Sequence, residues 1–164
     1  MSADRKAPPG VLGVHHTSFT VSSLDRAVAL WTEVFGFPLL SRAPRDNAII
    51  AEVTGVPGAD VEIAYVRGPG HDIELIEFRG PADRAAVRPR PCDAGFSHVA
   101  LMVTGLDALL ARGALHGAHP VNPPVTNGRF GPIAGARIAY LRDPDGITIE
   151  LIECREDGVE GTLR

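Results

Sequence analysis

The chain has 164 residues, of which 45% are hydrophobic and 22% are charged, and its formal net charge is −4 at pH 7. These values fit one globular domain, or two small fused modules, with an ordinary hydrophobic core. No basic cluster follows a phosphate backbone and no apolar run approaches the ~20 residues that cross a bilayer, so neither nucleic acid nor a membrane is an expected partner. The first residues lack the apolar stretch of a secretory signal, so a cytoplasmic location is expected.

The first half of the chain begins with a predicted strand and an amphipathic helix. Residues 13–21 alternate as a strand does, which places His16 on one face. Apolar residues at helical spacing follow, and Ser22 with Asp25 forms an S-x-x-D pattern typical of a helix start. The other predicted strands of this half are Phe37–Ser41, Ala48–Val53, Glu62–Val66 and Ile73–Phe78.

The second half repeats this order. A predicted strand over Phe96–Val103 carries His98, and Thr104 with Asp107 repeats the capping pattern. Residues 119–136 are rich in proline and glycine and leave room for at most one short strand. The other predicted elements are a helix over Leu106–His116 and strands over Arg137–Leu141 and Ile147–Cys154.

These patterns predict how the chain is divided. The repeated elements form two modules of a single domain, and the polar, weakly periodic segments lie outside them. The predicted parts are a disordered tail (residues 1–12), a first module (13–78), a linker (79–94), a second module (95–154) and a C-terminal tail (155–164).

Equivalent residues of the two halves carry the candidate chemistry. His98 follows His16 at an offset of 82 residues, which the two capping patterns share, and Glu150 follows Glu74 at an offset of 76 residues. Each half is predicted as β-α-β-β-β, and a duplicated unit is expected to pack around a pseudo-two-fold axis. Equivalent side chains can then meet in a shared cleft, so these four residues form a candidate set.

Two imidazoles and two carboxylates suit one divalent ion such as Zn²⁺, Ni²⁺, Co²⁺, Mn²⁺ or Fe²⁺, with positions left open for substrate. Strand alternation places Glu74 on the cleft side, whereas Glu77 and Glu153 are predicted as solvated carboxylates at strand ends. The competing interpretation is that the four residues are surface carboxylates and core histidines. The histidines without a counterpart are predicted to lie in loops or on the surface, namely His15, His71, His116 and His119.

Four stretches carry a resemblance to a known family: "HHTSFTVSSLDRAVALW", "DIELIEF", "FSHVALMVTGLDALL" and "ARIAYLRDPDGITIELIE". They resemble the vicinal oxygen chelate superfamily, which includes glyoxalase I, methylmalonyl-CoA epimerase, extradiol dioxygenases, fosfomycin-resistance proteins and bleomycin-binding proteins. The resemblance extends from about Gly13 to Glu153. It implies an α+β fold, the glyoxalase/bleomycin-resistance/dioxygenase fold, in which two βαβββ modules pair into a cupped mixed sheet. It also makes a homodimer plausible.

The resemblance implies metal ligands at His16, Glu74, His98 and Glu150. The implied function is a divalent-metal-dependent isomerase, epimerase or lyase acting on a small molecule with vicinal oxygens. Such an enzyme transfers a proton next to a carbonyl through a metal-stabilised enediolate. Glu150 is the expected base, and Glu74 is its counterpart on the other face of the carbon. Possible substrate contacts are Arg129, Glu62 and Met102.

Two other functions remain open for this fold. A small-molecule-sequestering resistance protein would bind its ligand tightly without a metal and would retain the four residues as vestiges. An iron-dependent extradiol-type dioxygenase would cleave catechol rings and consume oxygen.

Overall fold

The computed structural model describes residues 10–128 and 133–153. The helices within these ranges are α1 (Leu24–Ala29), which continues as a π-helical turn over Leu30–Val34, α2 (Asn47–Thr54) and α3 (Leu106–Leu115). The strands are β1 (His16–Val21), β2 (Leu39–Pro44), β3 (Asp60–Gly68), β4 (His71–Gly80), β5 (Val99–Val103), β6 (His119–Pro120), β7 (Val125–Thr126), β8 (Arg137–Arg142) and β9 (Thr148–Glu153). No helix in the described ranges is long and apolar enough to cross a bilayer.

The strands form two sheets of the same design. The first has the order β1-β4-β3-β2, and the second has the order β5-β9-β8-β6 with β7 also on β8. In each sheet the first and last strands of the half pair in parallel, and the remaining pairs are antiparallel. This architecture confirms the predicted α+β class and the repeat of one unit.

Two local predictions are wrong. The stretch Ala48–Val53 belongs to α2 and not to a strand, because the carboxylate of Asp46 accepts hydrogen bonds from the backbone N–H groups of Ala48 and Ile49 and so caps a helix. The proline-rich stretch of the second half holds two strands, β6 and β7, of two residues each. Both pair with β8, so together they form one interrupted edge.

The helices cover one face of the sheets and share one core. Trp31 is 2% exposed and packs between Phe19 and Phe37, at ring-centroid distances of 6.3 and 5.3 Å. The core continues through buried residues of the second half such as Leu106. A Cβ at Gly68 would lie 2.3 Å from the Phe37 ring, so only glycine fits at that contact. The opposite faces of the sheets are therefore the ones that can carry a site.

Glutamates from distant strands cap the two helices that enter the core. The Glu77 carboxylate accepts a hydrogen bond from the backbone N–H of Leu24 at 2.7 Å, and Glu153 does the same for Leu106 at 2.8 Å. The prediction that these glutamates are free carboxylates at strand ends is therefore wrong. The predicted caps also shift by one residue, because the N-cap positions are Ser23 and Gly105.

One turn ties the two halves together. Asp145 lies in the turn between β8 and β9, and its carboxylate accepts a hydrogen bond from the backbone N–H of Ser22 at 2.9 Å. The guanidinium of Arg26 lies 3.2 Å from the same carboxylate. The second half thereby holds the beginning of α1 in the first half.

We expect Glu77→Ala to lower the free energy of unfolding by about 1–2 kcal/mol, because it removes a charged acceptor from the N-terminus of α1. Urea unfolding at pH 7 measures this. Glu52→Ala, an exposed position on α2, is the matched control, with an expected change within about 0.5 kcal/mol. Equal losses in the two variants would contradict the capping role.

The same turn between β8 and β9 contains a buried carboxyl group. Asp143 is 9% exposed, and its Oδ1 accepts hydrogen bonds from the backbone N–H groups of Asp145 and Ile147. Burial raises the pKa of Asp143 to about 6, against an ordinary value of 3.8. The folded protein therefore holds this proton more tightly than the unfolded chain does. Its contribution to stability is greatest below about pH 4 and falls as the pH rises to about 6.

We expect Asp143→Asn to remove this pH dependence, since the amide keeps one acceptor oxygen and carries no charge. The unfolding free energy of the variant, taken relative to the wild type, should rise by about 3 kcal/mol between pH 4 and pH 7. Urea unfolding at several pH values measures the difference. Asp83→Asn, at an exposed aspartate, serves as the control. A flat difference for Asp143→Asn would contradict the buried acid.

Candidate metal and substrate site

The first His–Glu pair lies on the open face of the first sheet. His16 begins β1, and its Nε2 lies 3.3 Å from Oε2 of Glu74 on β4. The other ring nitrogen of His16, Nδ1, shares a hydrogen bond of 2.6 Å with Nδ1 of His15. The His16 ring is thus fixed at Nδ1 while Nε2 faces the carboxylate, an arrangement common among metal-binding histidines.

A tyrosine completes this pair. Tyr65 lies directly opposite Glu74 in the antiparallel β3–β4 register, so both side chains share one face. The Tyr65 hydroxyl donates a hydrogen bond to Oε1 of Glu74, and Glu74 is only 7% exposed. Burial, together with this bond to a carboxylate, raises the pKa of Tyr65 to about 12. The hydroxyl therefore stays protonated at neutral pH and holds Glu74 in place.

The second sheet carries an equivalent pair. Nε2 of His98 lies 3.1 Å from Oε2 of Glu150 on β9. Tyr140 is the register partner of Glu150, and its ring packs against His98 at a centroid distance of 5.2 Å. Burial is the main cause that raises the pKa of Tyr140, and the nearby charge of Glu150 adds to it.

The two glutamates differ in how firmly they are held. Both carboxylate oxygens of Glu74 have a partner, Tyr65 on one side and His16 on the other. Within the described residues, Glu150 bonds to His98 but receives no hydrogen bond from Tyr140, and its side chain is 17% exposed against 9% for Glu74. Glu150 is thus the more accessible carboxylate.

The structure joins the four predicted ligands in pairs and not as one group. Among the described residues, no three histidine, cysteine, aspartate or glutamate side chains are placed to hold one metal ion. The prediction that all four meet within one chain is therefore wrong. Each pair nevertheless has suitable donors, since an imidazole nitrogen and a carboxylate oxygen lie side by side on an open face. Such a pair supplies half of a four-ligand site.

The predicted substrate contacts have different outcomes. Glu62 pairs in register with Glu77, on the helix side of the sheet, and its carboxylate bonds to Arg42 and Arg79. It therefore lies away from the His–Glu pair, contrary to the prediction. Met102 is 37% exposed on the face of β5 that Glu150 shares, since Ala100 is the register partner of Glu150. Arg129 lies outside the described residues.

Three participants in the site had been given no role from the sequence. Tyr65 and Tyr140 recur at an offset of 75 residues, and this repetition was the available signal. His15 was expected to point away from His16 because neighbours in a strand face opposite sides. It precedes β1, however, so strand alternation does not apply to it, and the rings pack at a centroid distance of 4.9 Å.

Known proteins share both the sequence pattern and the fold. The sequence model of the Glyoxalase/Bleomycin resistance protein/Dioxygenase superfamily matches residues 13–151. The chain therefore belongs to this superfamily, which confirms the family resemblance seen in its motifs.

Individual relatives cover most of the chain. A 2-epi-5-epi-valiolone epimerase from an Actinomyces species is 36% identical over 148 residues, which cover 88% of this chain and 80% of the relative. A lactoylglutathione lyase from Salmonella typhimurium is 29% identical over 150 residues, which cover 87% and 93%. The crystal structure of a glyoxalase family protein from Bacillus cereus superposes with a TM-score of 0.77 at 31% identity, covering 90% of this chain and 97% of the other.

The only two tyrosines of the protein are those beside the two glutamates, so tyrosine ionisation reports on both pairs. We expect the ultraviolet absorbance of tyrosinate to appear well above pH 10 in the folded protein and near about 10 in urea. Glu74→Gln should lower the pKa of Tyr65, and the matched variant Glu150→Gln should lower that of Tyr140. A folded wild type whose tyrosines both titrate at the unfolded value would contradict the described contacts.

Proposed function

We propose that the protein is a divalent-metal-dependent enzyme that moves a proton at a carbon next to a carbonyl, as an epimerase, isomerase or lyase. The observation that carries the proposal is the recurrence of one His–Glu–Tyr arrangement on the open face of both sheets. Relatives named as an epimerase and as lactoylglutathione lyases support the same class of reaction. The substrate is a small molecule with vicinal oxygens.

The difference between the glutamates supports their separate roles. Glu150 is the proposed base because its carboxylate is the more exposed and receives no hydrogen bond from its neighbouring tyrosine among the described residues. It takes the proton from the carbon and can return it. In an epimerase, Glu74 serves the opposite face of the carbon, and Tyr65 keeps its carboxylate oriented.

The ligands of the metal are His16, Glu74, His98 and Glu150. A divalent ion bound there would act as a Lewis acid and make the proton next to a carbonyl more acidic. The two pairs lie apart within one chain, so a homodimer is part of the proposal. A two-fold axis can place the first pair of one copy against the second pair of the other, which yields two equivalent sites.

We expect Glu150→Gln to reduce turnover by about 100-fold or more, the usual contribution of a general base. The direct readout is deuterium uptake from D₂O into 2-epi-5-epi-valiolone and lactoylglutathione, followed by mass spectrometry with each candidate metal. His16→Ala should lower the metal content found by elemental analysis, whereas Glu52→Gln should change neither quantity. A protein that takes up no metal and still binds these compounds tightly would favour sequestration instead.

Mixing two inactive variants tests the shared site. His16→Ala disables the first pair and His98→Ala disables the second. If each site uses both copies, co-refolding the two variants restores about a quarter of the wild-type sites, because one site of each mixed dimer is intact. If each site lies within one chain, the mixture stays inactive, and the dimer part of the proposal is overturned.

A further inference from the structure

Arg142 and Thr148 face each other across β8 and β9 and are polar groups that the proposed reaction does not use. They are register partners, and Arg142 lies two residues from Tyr140, so both side chains belong to the open face of the second sheet. Within the described residues, the buried side-chain nitrogen and oxygen atoms without a hydrogen-bond partner are Nε and Nη2 of Arg142 and Oγ1 of Thr148. All three therefore occur at one place.

An unpaired guanidinium edge is costly in a partly buried position. Such groups are normally paired, because leaving a charged donor without an acceptor forfeits its solvation in water. Thr148 is 2% exposed, whereas Arg142 as a whole is partly exposed. The arginine thus lies at the surface of the sheet, where a turn of its long side chain can bring the same edge to an incoming ligand.

The first sheet shows what this edge binds. Arg67 is the counterpart of Arg142 in the repeat, and its register partner is Asp72. Nε and Nη2 of Arg67 donate to the two carboxylate oxygens of Asp72 at 3.0 and 3.1 Å. In the second sheet Thr148 replaces this aspartate, so the same nitrogen edge has lost its carboxylate. No carboxylate of a described residue lies within salt-bridge distance of Arg142.

We propose that Arg142 and Thr148 form a subsite for a carboxylate group carried by the substrate. The guanidinium edge binds the two carboxylate oxygens as Arg67 binds Asp72, and the Thr148 hydroxyl donates a third hydrogen bond. Its description as a substrate subsite rests on the proposed function, but the binding site itself does not.

The position of the subsite fits a ligand that also reaches the reacting groups. The parallel register pairs Val99 with Ile149, so His98 stands beside Thr148 in the same row across the sheet. Neighbouring strands are about 4.8 Å apart, which puts Arg142 two strands from His98. Glu150 lies in the next row of the same face. A carboxylate at the subsite is therefore a few bonds away from a carbonyl held between His98 and Glu150.

The test is a titration of metal-free, ¹⁵N-labelled protein with pyruvate at constant ionic strength. We expect a saturating shift of the Arg142 Nε–H resonance in the millimolar range, and no shift with acetamide, which is neutral. Arg142→Lys keeps the charge but loses the two-pronged edge, and should raise the Kd about tenfold or more. Thr148→Val should weaken binding less. Arg67→Lys is the matched control and should leave the pyruvate response intact.

Several results would overturn the subsite. One is an Arg142 resonance in the wild type that ignores pyruvate, a result that depends on no variant folding. Another is an equal response to chloride, and a third is the same loss of binding in Arg67→Lys. A resonance that changes with protein concentration and not with pyruvate would show pairing with an acidic side chain of a second copy. Because the titration uses no metal and no turnover, it can fail while deuterium exchange succeeds, or the reverse.

Discussion

The parallel pairing between the first and last strand of each half decides where the candidate chemistry lies. In the first sheet this register sets Thr17 beside Ile73 and Ser18 beside Glu74. One residue of slip would send the glutamate into the core and an isoleucine to the open face. The buried side chains on the helix face forbid that slip, so the packing of the core fixes the chemistry on the opposite face.

Strong periodicity made most of the architecture predictable. The alternating strands and the apolar helical stripe are local signals, and the repeat identified His16, Glu74, His98 and Glu150 as equivalent pairs. The failure at Ala48–Val53 has a physical cause, because a short apolar run fits either a strand or a helix. A single side chain, Asp46, decides between them by capping the first turn.

Contacts between distant segments could not be predicted in the same way. Leu24 depends on Glu77, which is 53 residues further along the chain, and no local pattern marks that bond. The separation of the two His–Glu pairs is also nonlocal. It follows from the position of the two sheets about a common core, where α3 contacts the π-helical turn over Leu30–Val34. Equivalence in the repeat therefore identified the partners within a pair and not the distance between pairs.

Asp145 shows how the duplicated halves came to depend on each other. Its carboxylate lies on Ser22 and Arg26 of the other half, whereas the corresponding hairpin of the first half turns through Pro69 and Gly70, which have no charge to offer in return. The debt between the copies thus runs one way. Deleting the second copy would strip the first of a support that it never had to evolve for itself, so in evolutionary terms the gene fusion has become irreversible.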